Sequence, residues 1–184
     1  MADIKEALEE LFKLEFQSPK FALHVNPGEH GYTFMGVYQA ANPELELWKL
    51  VDEVVWEHAD IREASEELYN NPTARDIVNR VYKSKYWDKA RLDEVISQKI
   101  AEEIFVFGVN AGMRNAIRKA QKLVGITSDG IVGSQTIKTL NGFDEHIFDL
   151  KFDELEIQFY DDLIAKNPSF AKFKNGWHNR AEAI

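Results

Sequence analysis

Cysteine is absent from the 184-residue sequence. The chain therefore has no disulfide framework, no thiolate nucleophile and no thiolate metal site. This composition suits a protein that folds in the reducing cytoplasm. The other proportions are ordinary for a globular protein, since 45% of the residues are hydrophobic and 29% are charged. We therefore expect a folded chain with a sizeable core rather than a disordered one.

Positive charge and long apolar runs are also scarce. The 22 Lys and Arg residues are outnumbered by 31 Asp and Glu residues, which gives a formal net charge of -9. Such a chain lacks the basic footprint of a nucleic-acid-binding protein. It also lacks a run of about 18 apolar residues, so we expect no membrane insertion. The start, "MADIKEALEELFKLE", has neither the basic residues nor the apolar stretch of a signal peptide, which predicts synthesis in the cytoplasm.

The apolar residues that are present follow a helical spacing over most of the chain. Ile4, Leu8 and Leu11 recur three or four positions apart, with Asp3 as a candidate N-cap. Further helices are predicted from Pro43, over residues 61–69, after Pro72, over 95–109, before Gly125, after "SDGIVG" and over 144–165. A short β-hairpin is predicted from residues 21–25 and 32–34, on either side of "NPGEHG". The sequence therefore predicts a mainly α fold with one short β-hairpin or irregular loop near the N-terminus.

Two glutamates near this loop could act together. Glu15 ends the first predicted helix, and Glu29 lies in the Gly/Pro-rich turn. Each residue alone is most simply an exposed acid. Glycosidic cleavage, however, needs a carboxylic acid that protonates the leaving oxygen, and often a second carboxylate that activates water. A helix end can hold the first acid, and the following loop can hold the second across a cleft.

The histidines give little support for a metal site. None of the five is three or four residues from another, and no "HExxH" motif occurs. A site formed by His24, Glu29 and His30 is the weaker interpretation, because histidines in loops are more often simple hydrogen-bonding groups. Neither a phosphate-binding loop nor a nucleophile elbow is present. We therefore predict no metal and no cofactor.

Several blocks, taken in order, carry a family resemblance. They are "LEFQ", "HVNPGEHGYT", "MGVY", "YWDKARLDEV", "FVFGVNAGMRNAIRKAQKLVGITSDGIVGSQTIKTL" and "FYDDLIAKNPSFAKFKNGWHNR". Together they resemble the glycoside hydrolase family 108 muramidases with their C-terminal predicted peptidoglycan-binding region. The resemblance covers nearly the whole chain and implies a lysozyme-like helical domain. It also implies a catalytic lobe at residues 1–95 and a helical, peptidoglycan-binding lobe at residues 96–184, packed as one globular unit.

The resemblance also implies roles for three residues in catalysis. By position, Glu15 takes the role of the general acid, Glu29 that of the loop acid that positions or activates water, and Thr33 that of its assistant. The family's Glu-Gly-Gly motif is replaced here by Glu15-Phe16-Gln17. The loop acid is Glu rather than the family's Asp.

Three further residues are predicted to bind the substrate. His30 and Tyr32 lie beside the loop acid, and Asn110 matches the family's Asn-x-Gly motif. For Asn110, a buried structural role is an equal alternative.

The resulting interpretation is an endolysin-like N-acetylmuramidase that cleaves the β-1,4 bond between N-acetylmuramic acid and N-acetylglucosamine. A lytic transglycosylase acting on the same bond is one alternative, and a non-catalytic peptidoglycan-binding or secretion-accessory protein is another. The expected partner is the glycan strand of peptidoglycan, and the chain is expected to be a monomer. An enzyme of phage type would reach the cell wall, in the periplasm, after release through a holin.

Overall fold

The computed structural model describes residues 1–16 and 18–184. Helices dominate these residues, so the mainly α prediction is confirmed. The α helices are α1 (Ile4–Glu15), α2 (Leu47–Glu57), α3 (Ile61–Asn70), α4 (Pro72–Tyr82), α5 (Gln98–Ala111), α6 (Met113–Leu123), α7 (Ser134–Leu140), α8 (Glu145–Lys166) and α9 (Lys174–Ala181).

A small antiparallel sheet lies between α1 and α2 in the sequence. Its strands are β1 (Leu23–His24), β2 (Thr33–Phe34) and β3 (Val37–Tyr38), in the spatial order β1-β2-β3. The predicted hairpin corresponds to β1 and β2, although both strands are shorter than expected. The third strand was not predicted, because two residues are too few to show the alternation that marks a strand.

Polar side chains cap several of the helices. The Asp3 carboxylate accepts a hydrogen bond from the Lys5 backbone N–H at 2.8 Å, as expected for an N-cap. Each such bond satisfies a donor that the first helical turn leaves without a partner, and is worth about 1 kcal/mol. The same arrangement begins four other helices, at Asp60, Asn71, Ser97 and Asp144.

The second helix begins later than predicted. We expected it to start at Pro43, but α2 starts at Leu47 and Pro43 lies in a turn. The Asn42 carbonyl accepts the Trp48 indole N–H at 2.6 Å, and the Asn42 side chain donates to the Tyr38 carbonyl at 2.8 Å. These hydrogen bonds hold the chain around Pro43 in a loop, so the proline serves a turn rather than a helix start.

The chain divides into two compact units. We call residues 11–84 the sheet unit, and residues 1–10 together with 85–184 the helical unit. The core of the sheet unit takes side chains from the end of α1, the sheet and helices α2 to α4. It includes Leu11, Phe12, Leu23, Phe34, Met35, Val51, Leu68 and Val78. Burying a large apolar side chain of this kind stabilises the fold by about 1.5–3 kcal/mol.

Helix α5 forms the centre of the helical unit, as its continuous apolar sequence predicts. It packs against α6 and α8. The Phe107 ring meets Phe152, Phe159 and Tyr160 edge-on, with ring centroids 5.3–6.0 Å apart. Such edge-to-face contacts add to the stabilisation from burial alone.

None of the helices in residues 1–16 and 18–184 combines the length and the apolar character that crossing a membrane requires.

Candidate active site

Glu15 is the last residue of α1, and it is exposed. Aromatic side chains of the sheet unit fix the chain around it. The Phe16 ring stacks on Phe12 with centroids 5.8 Å apart and meets the edge of Tyr69 at 5.9 Å. Phe12 in turn meets Tyr82 edge-on at 5.7 Å. This packing holds the end of α1, and therefore the backbone that carries Glu15.

Glu29 closes a tight turn formed by "NPGE". The Glu29 backbone N–H donates to the Asn26 carbonyl at 3.1 Å, and Gly28 has a φ of 83°. Proline followed by a glycine with positive φ is the signature of a type II turn. The Asn26 side-chain amide also donates to Glu29 Oε2 at 2.9 Å. The turn therefore orients one carboxylate oxygen, while the side chain remains exposed.

The loop returns to the sheet through paired hydrogen bonds. The His30 N–H donates to the Tyr38 hydroxyl at 3.2 Å, and that hydroxyl donates to the His30 carbonyl at 3.1 Å. Two residues further on, the Tyr32 N–H donates to Gln39 Oε1 and the Gln39 N–H donates to the Tyr32 carbonyl, both at 2.9 Å. His30 and Tyr32 are thus fixed through their backbones, which leaves His30 exposed and Tyr32 half-buried.

Thr33 lies in the middle strand of the sheet. It pairs with His24 on β1 and with Tyr38 on β3. The side chain is 7% exposed, and its hydroxyl oxygen is buried without a hydrogen-bond partner among the described residues. A buried hydroxyl without a partner is costly to keep, so this oxygen can take a hydrogen bond at little cost to the fold.

The connection from β2 to β3 is a strained two-residue turn. Met35 and Gly36 have φ values of 48° and 79°, as in the type I′ turns that favour tight hairpins. The Tyr82 hydroxyl donates to the Met35 carbonyl at 3.0 Å, and the Met35 N–H donates to the Ala22 carbonyl at 2.8 Å. A Cβ on Gly36 would collide with the Tyr82 hydroxyl. The sequence analysis predicted neither the turn at Gly36 nor the hydrogen bond from Tyr82, although a glycine between two apolar pairs is a recognised turn signal.

Ser65 is a second supporting residue that the sequence did not reveal. It lies on α3 and is fully buried. Its hydroxyl donates to the Pro19 carbonyl at 2.6 Å and accepts the Leu23 N–H at 2.9 Å. One side chain therefore fastens both the segment that follows α1 and the first strand of the sheet.

Asn110 has a different position from the other predicted residues. It lies on α5 of the helical unit, where its side-chain amide donates to the Tyr160 hydroxyl at 2.6 Å. The structure therefore gives this amide a partner inside the protein. Glu15, Glu29, His30, Tyr32 and Thr33 all belong to the sheet unit.

An acid at a helix end, a second acid on a turn and a threonine on a small sheet are residue types that glycosidic cleavage uses, and all three lie in the sheet unit. Such residues in a mainly α, lysozyme-like fold are expected of a glycoside hydrolase. Comparison with known proteins then gives the family of each region. A family model described as "Glycosyl hydrolase 108" matches residues 24–112, and one described as "Predicted Peptidoglycan domain" matches residues 115–182. The chain therefore contains a glycosyl hydrolase 108 region followed by a predicted peptidoglycan domain.

A solved structure of SagA from Brucella abortus has a similar fold. The TM-score is 0.62 with 19% sequence identity, and the match covers 96% of this chain and 88% of SagA. No curated protein matches the sequence. Glu15 precedes the matched glycosyl hydrolase region, which begins at His24. Its assignment therefore rests on its place in the fold and on the motif order.

Proposed function

We propose that this peptidoglycan hydrolase is an N-acetylmuramidase and that Glu15 is its general acid. The bond cleaved is the β-1,4 bond between N-acetylmuramic acid and N-acetylglucosamine. The observation that carries the proposal is the position of Glu15, exposed at the last residue of α1, in the unit that also contains the Glu29 turn. Glu15 donates its proton to the glycosidic oxygen, so that the leaving sugar departs as an alcohol.

Glu29 is the second carboxylate in this proposal. Its turn is fixed at both ends, by Asn26 and by the backbone pairs at His30 and Tyr32. A carboxylate on such a turn can accept a proton from the attacking water. Inversion at the anomeric carbon follows if the carboxyl groups of Glu15 and Glu29 lie about 6.5–9.5 Å apart when substrate binds. His30 and Tyr32, next to Glu29, are the proposed sugar contacts.

Thr33 assists by hydrogen bonding the attacking water through its hydroxyl, which has no partner in the described part of the protein. Two substitutions test this role. Thr33→Val keeps the shape but removes the oxygen, and Thr33→Ser keeps the oxygen. For a structural residue, the valine variant should be at least as stable and as active as wild type, because an unpaired buried hydroxyl is costly. For a residue that holds water, Thr33→Val loses activity while remaining folded, and Thr33→Ser retains activity.

Glu15 is tested on purified sacculi with a matched control. Glu15→Gln should abolish the fall in turbidity, because glutamine has no acidic proton to donate. Glu57 is also an exposed glutamate at the last residue of a helix in the same unit, so Glu57→Gln should lyse sacculi like wild type. Equal lysis by Glu15→Gln and wild type would rule out Glu15 as the acid.

The mass of the released products identifies the reaction. Hydrolysis adds water and leaves a reducing end, which we expect here because a second acid is available. An anhydro-sugar product would instead indicate a lytic transglycosylase, and would remove the need for Glu29. Binding to sacculi without any product would indicate a non-catalytic peptidoglycan-binding or secretion-accessory protein.

We also propose where the enzyme acts and in what form. Its substrate lies outside the cytoplasm. A chain that is synthesised in the cytoplasm must therefore be released to the periplasm, as a phage endolysin is through a holin. Co-expression with and without a holin tests this route, since lysis should require the holin. We propose that the chain is a monomer with a catalytic lobe at residues 1–95 and a peptidoglycan-binding lobe at 96–184. This functional division differs from the compact units, because residues 1–10 and 85–95 belong to the helical unit. Size-exclusion chromatography tests the first point, and sacculus binding by the separated lobes tests the second.

A further inference from the structure

Three carboxylates converge within the helical unit, which contains none of the residues assigned to catalysis. Glu103 projects from α5, and Asp149 and Asp153 lie one turn apart on α8. One oxygen from each of the three lies within 4.8 Å of the others. Like charges repel at such distances, so an acidic cluster needs something that compensates its charge.

Glu103 is the member that the fold leaves least satisfied. Its side chain is 1% exposed, and its Oε1 is buried without a hydrogen-bond partner in residues 1–16 and 18–184. The Asp153 Oδ1 is likewise buried and has no hydrogen-bond partner among those residues. An ionised carboxylate in the interior is very costly unless a cation or several donors face it. A buried glutamate in the central helix of the unit therefore requires a counter-charge or a proton.

Lys99 supplies only part of the counter-charge. Its Nζ lies 3.0 Å from Asp149 Oδ1 and 3.6 Å from Glu103 Oε1, and the second distance is too long for a hydrogen bond. One ammonium thus faces three carboxylates, with Glu156 buried on the same helix as the two aspartates. The positive charges of Arg180 and Lys119 partly offset the negative charge of Glu156. The cluster around Glu103 therefore keeps an excess of negative charge.

Protons are the alternative way to neutralise it. Burial, together with the charges of Glu156 and Asp153, raises the pKa of Glu103 to about 10. Burial and the charge of Asp149 raise the pKa of Asp153 to about 6. A metal ion with charge +2 is the other way, because it balances three carboxylates and one ammonium.

The ligand chemistry selects the kind of ion. All three ligands are carboxylate oxygens, which suit hard cations rather than zinc or copper. Ca²⁺ accepts carboxylates in flexible, irregular geometry, whereas Mg²⁺ demands near-ideal octahedral geometry and gives up its water reluctantly, so this partly buried set of side chains suits Ca²⁺ better. We propose that Glu103, Asp149 and Asp153 form a Ca²⁺ site that ties α5 to α8 within the helical unit.

The site is tested on the full chain after treatment with EDTA, by calorimetric titration with CaCl₂ and by thermal unfolding. We expect one saturable ion per chain and a melting temperature that rises with the Ca²⁺ concentration, since a ligand that binds the folded state stabilises it. MgCl₂ should bind more weakly. Equal affinity for both ions would overturn the choice of Ca²⁺.

Three variants separate this site from general attraction to an acidic surface. Glu103→Gln and Asp149→Asn should each lose the saturable binding and the thermal shift. The control is Glu154→Gln, which removes an exposed acid from the same helix and should behave like wild type. If Glu103→Gln does not fold, Asp149→Asn decides. Absence of saturable binding by the wild type, or unchanged Ca²⁺ binding by the ligand variants, would refute the site.

Discussion

Replacing Ser65 by alanine should weaken the support beneath the proposed catalytic segment. The serine hydroxyl is the shared partner of the Pro19 carbonyl, at 2.6 Å, and the Leu23 N–H, at 2.9 Å. It is fully buried, and its neighbours are backbone groups that cannot turn away without moving the chain. Ser65→Ala therefore removes two hydrogen bonds and leaves two backbone groups without this partner.

The size of the effect follows from the burial of those two groups. Leu23 is 2% exposed, so its N–H loses its partner inside the protein, at a cost of about 1–3 kcal/mol. Pro19 is half-buried, so water can partly replace the hydroxyl at its carbonyl. We expect a total loss of about 2–3 kcal/mol in the free energy of unfolding. For a chain of this length that corresponds to a melting temperature lower by about 4–12 °C.

Urea unfolding and thermal scans measure this loss, and lysis of sacculi measures its effect on activity. The control is Ser84→Ala in the same unit, because Ser84 is exposed and its hydroxyl donates to the Val81 carbonyl. That change should shift the free energy of unfolding by less than about 0.5 kcal/mol. If Ser65→Ala were as stable as Ser84→Ala, the proposed anchoring of β1 by α3 would be wrong.

Three further changes test other parts of the structure. Gly36→Ala should cost about 1–3 kcal/mol and reduce lysis, because the residue has a positive φ and its Cβ would collide with the Tyr82 hydroxyl; urea unfolding checks this. Burial raises the pKa of Glu103 in the folded chain, so in Ca²⁺-free buffer its contribution to stability should be fully present below pH 4.5 and fall as the pH rises towards about 10. Glu103→Gln should flatten that fall, as thermal scans between pH 5 and pH 9 would show. Asn110→Ala should cost about 1–2 kcal/mol by urea unfolding, through loss of the Tyr160 hydrogen bond, and a parallel rise in KM would indicate sugar contact.

Helices were predicted well because their signals are local. The caps at Asp3, Asp60 and Asn71 lie in the sequence just before the helices that they start. The apolar run in α5 is long enough to identify a buried helix without tertiary information. Pro43 was misread because its role depends on Asn42 and Trp48, whose hydrogen bonds form only when the loop is folded.

The supporting residues of the site were not predictable in this way. Ser65 lies 42 residues after the strand that it anchors, and Tyr82 lies 47 residues after the carbonyl that it fixes. Nothing in the residues next to either one marks such a partner. Glu103 is a similar case, since a glutamate on a helix is normally exposed and only the packing of α5 against α8 buries it.

The structure of Glu15 and Phe16 shows how the sequence Glu15-Phe16-Gln17 can replace the Glu-Gly-Gly motif. Glycines beside a helix end leave the backbone unsupported by side chains, so the position of an adjacent acid depends on close backbone approach. Here the Phe16 ring packs against Phe12 and Tyr69, which fixes the end of α1 through side-chain contacts. The altered motif is therefore compatible with a positioned acid at Glu15, because the aromatic contacts supply a constraint that two glycines do not.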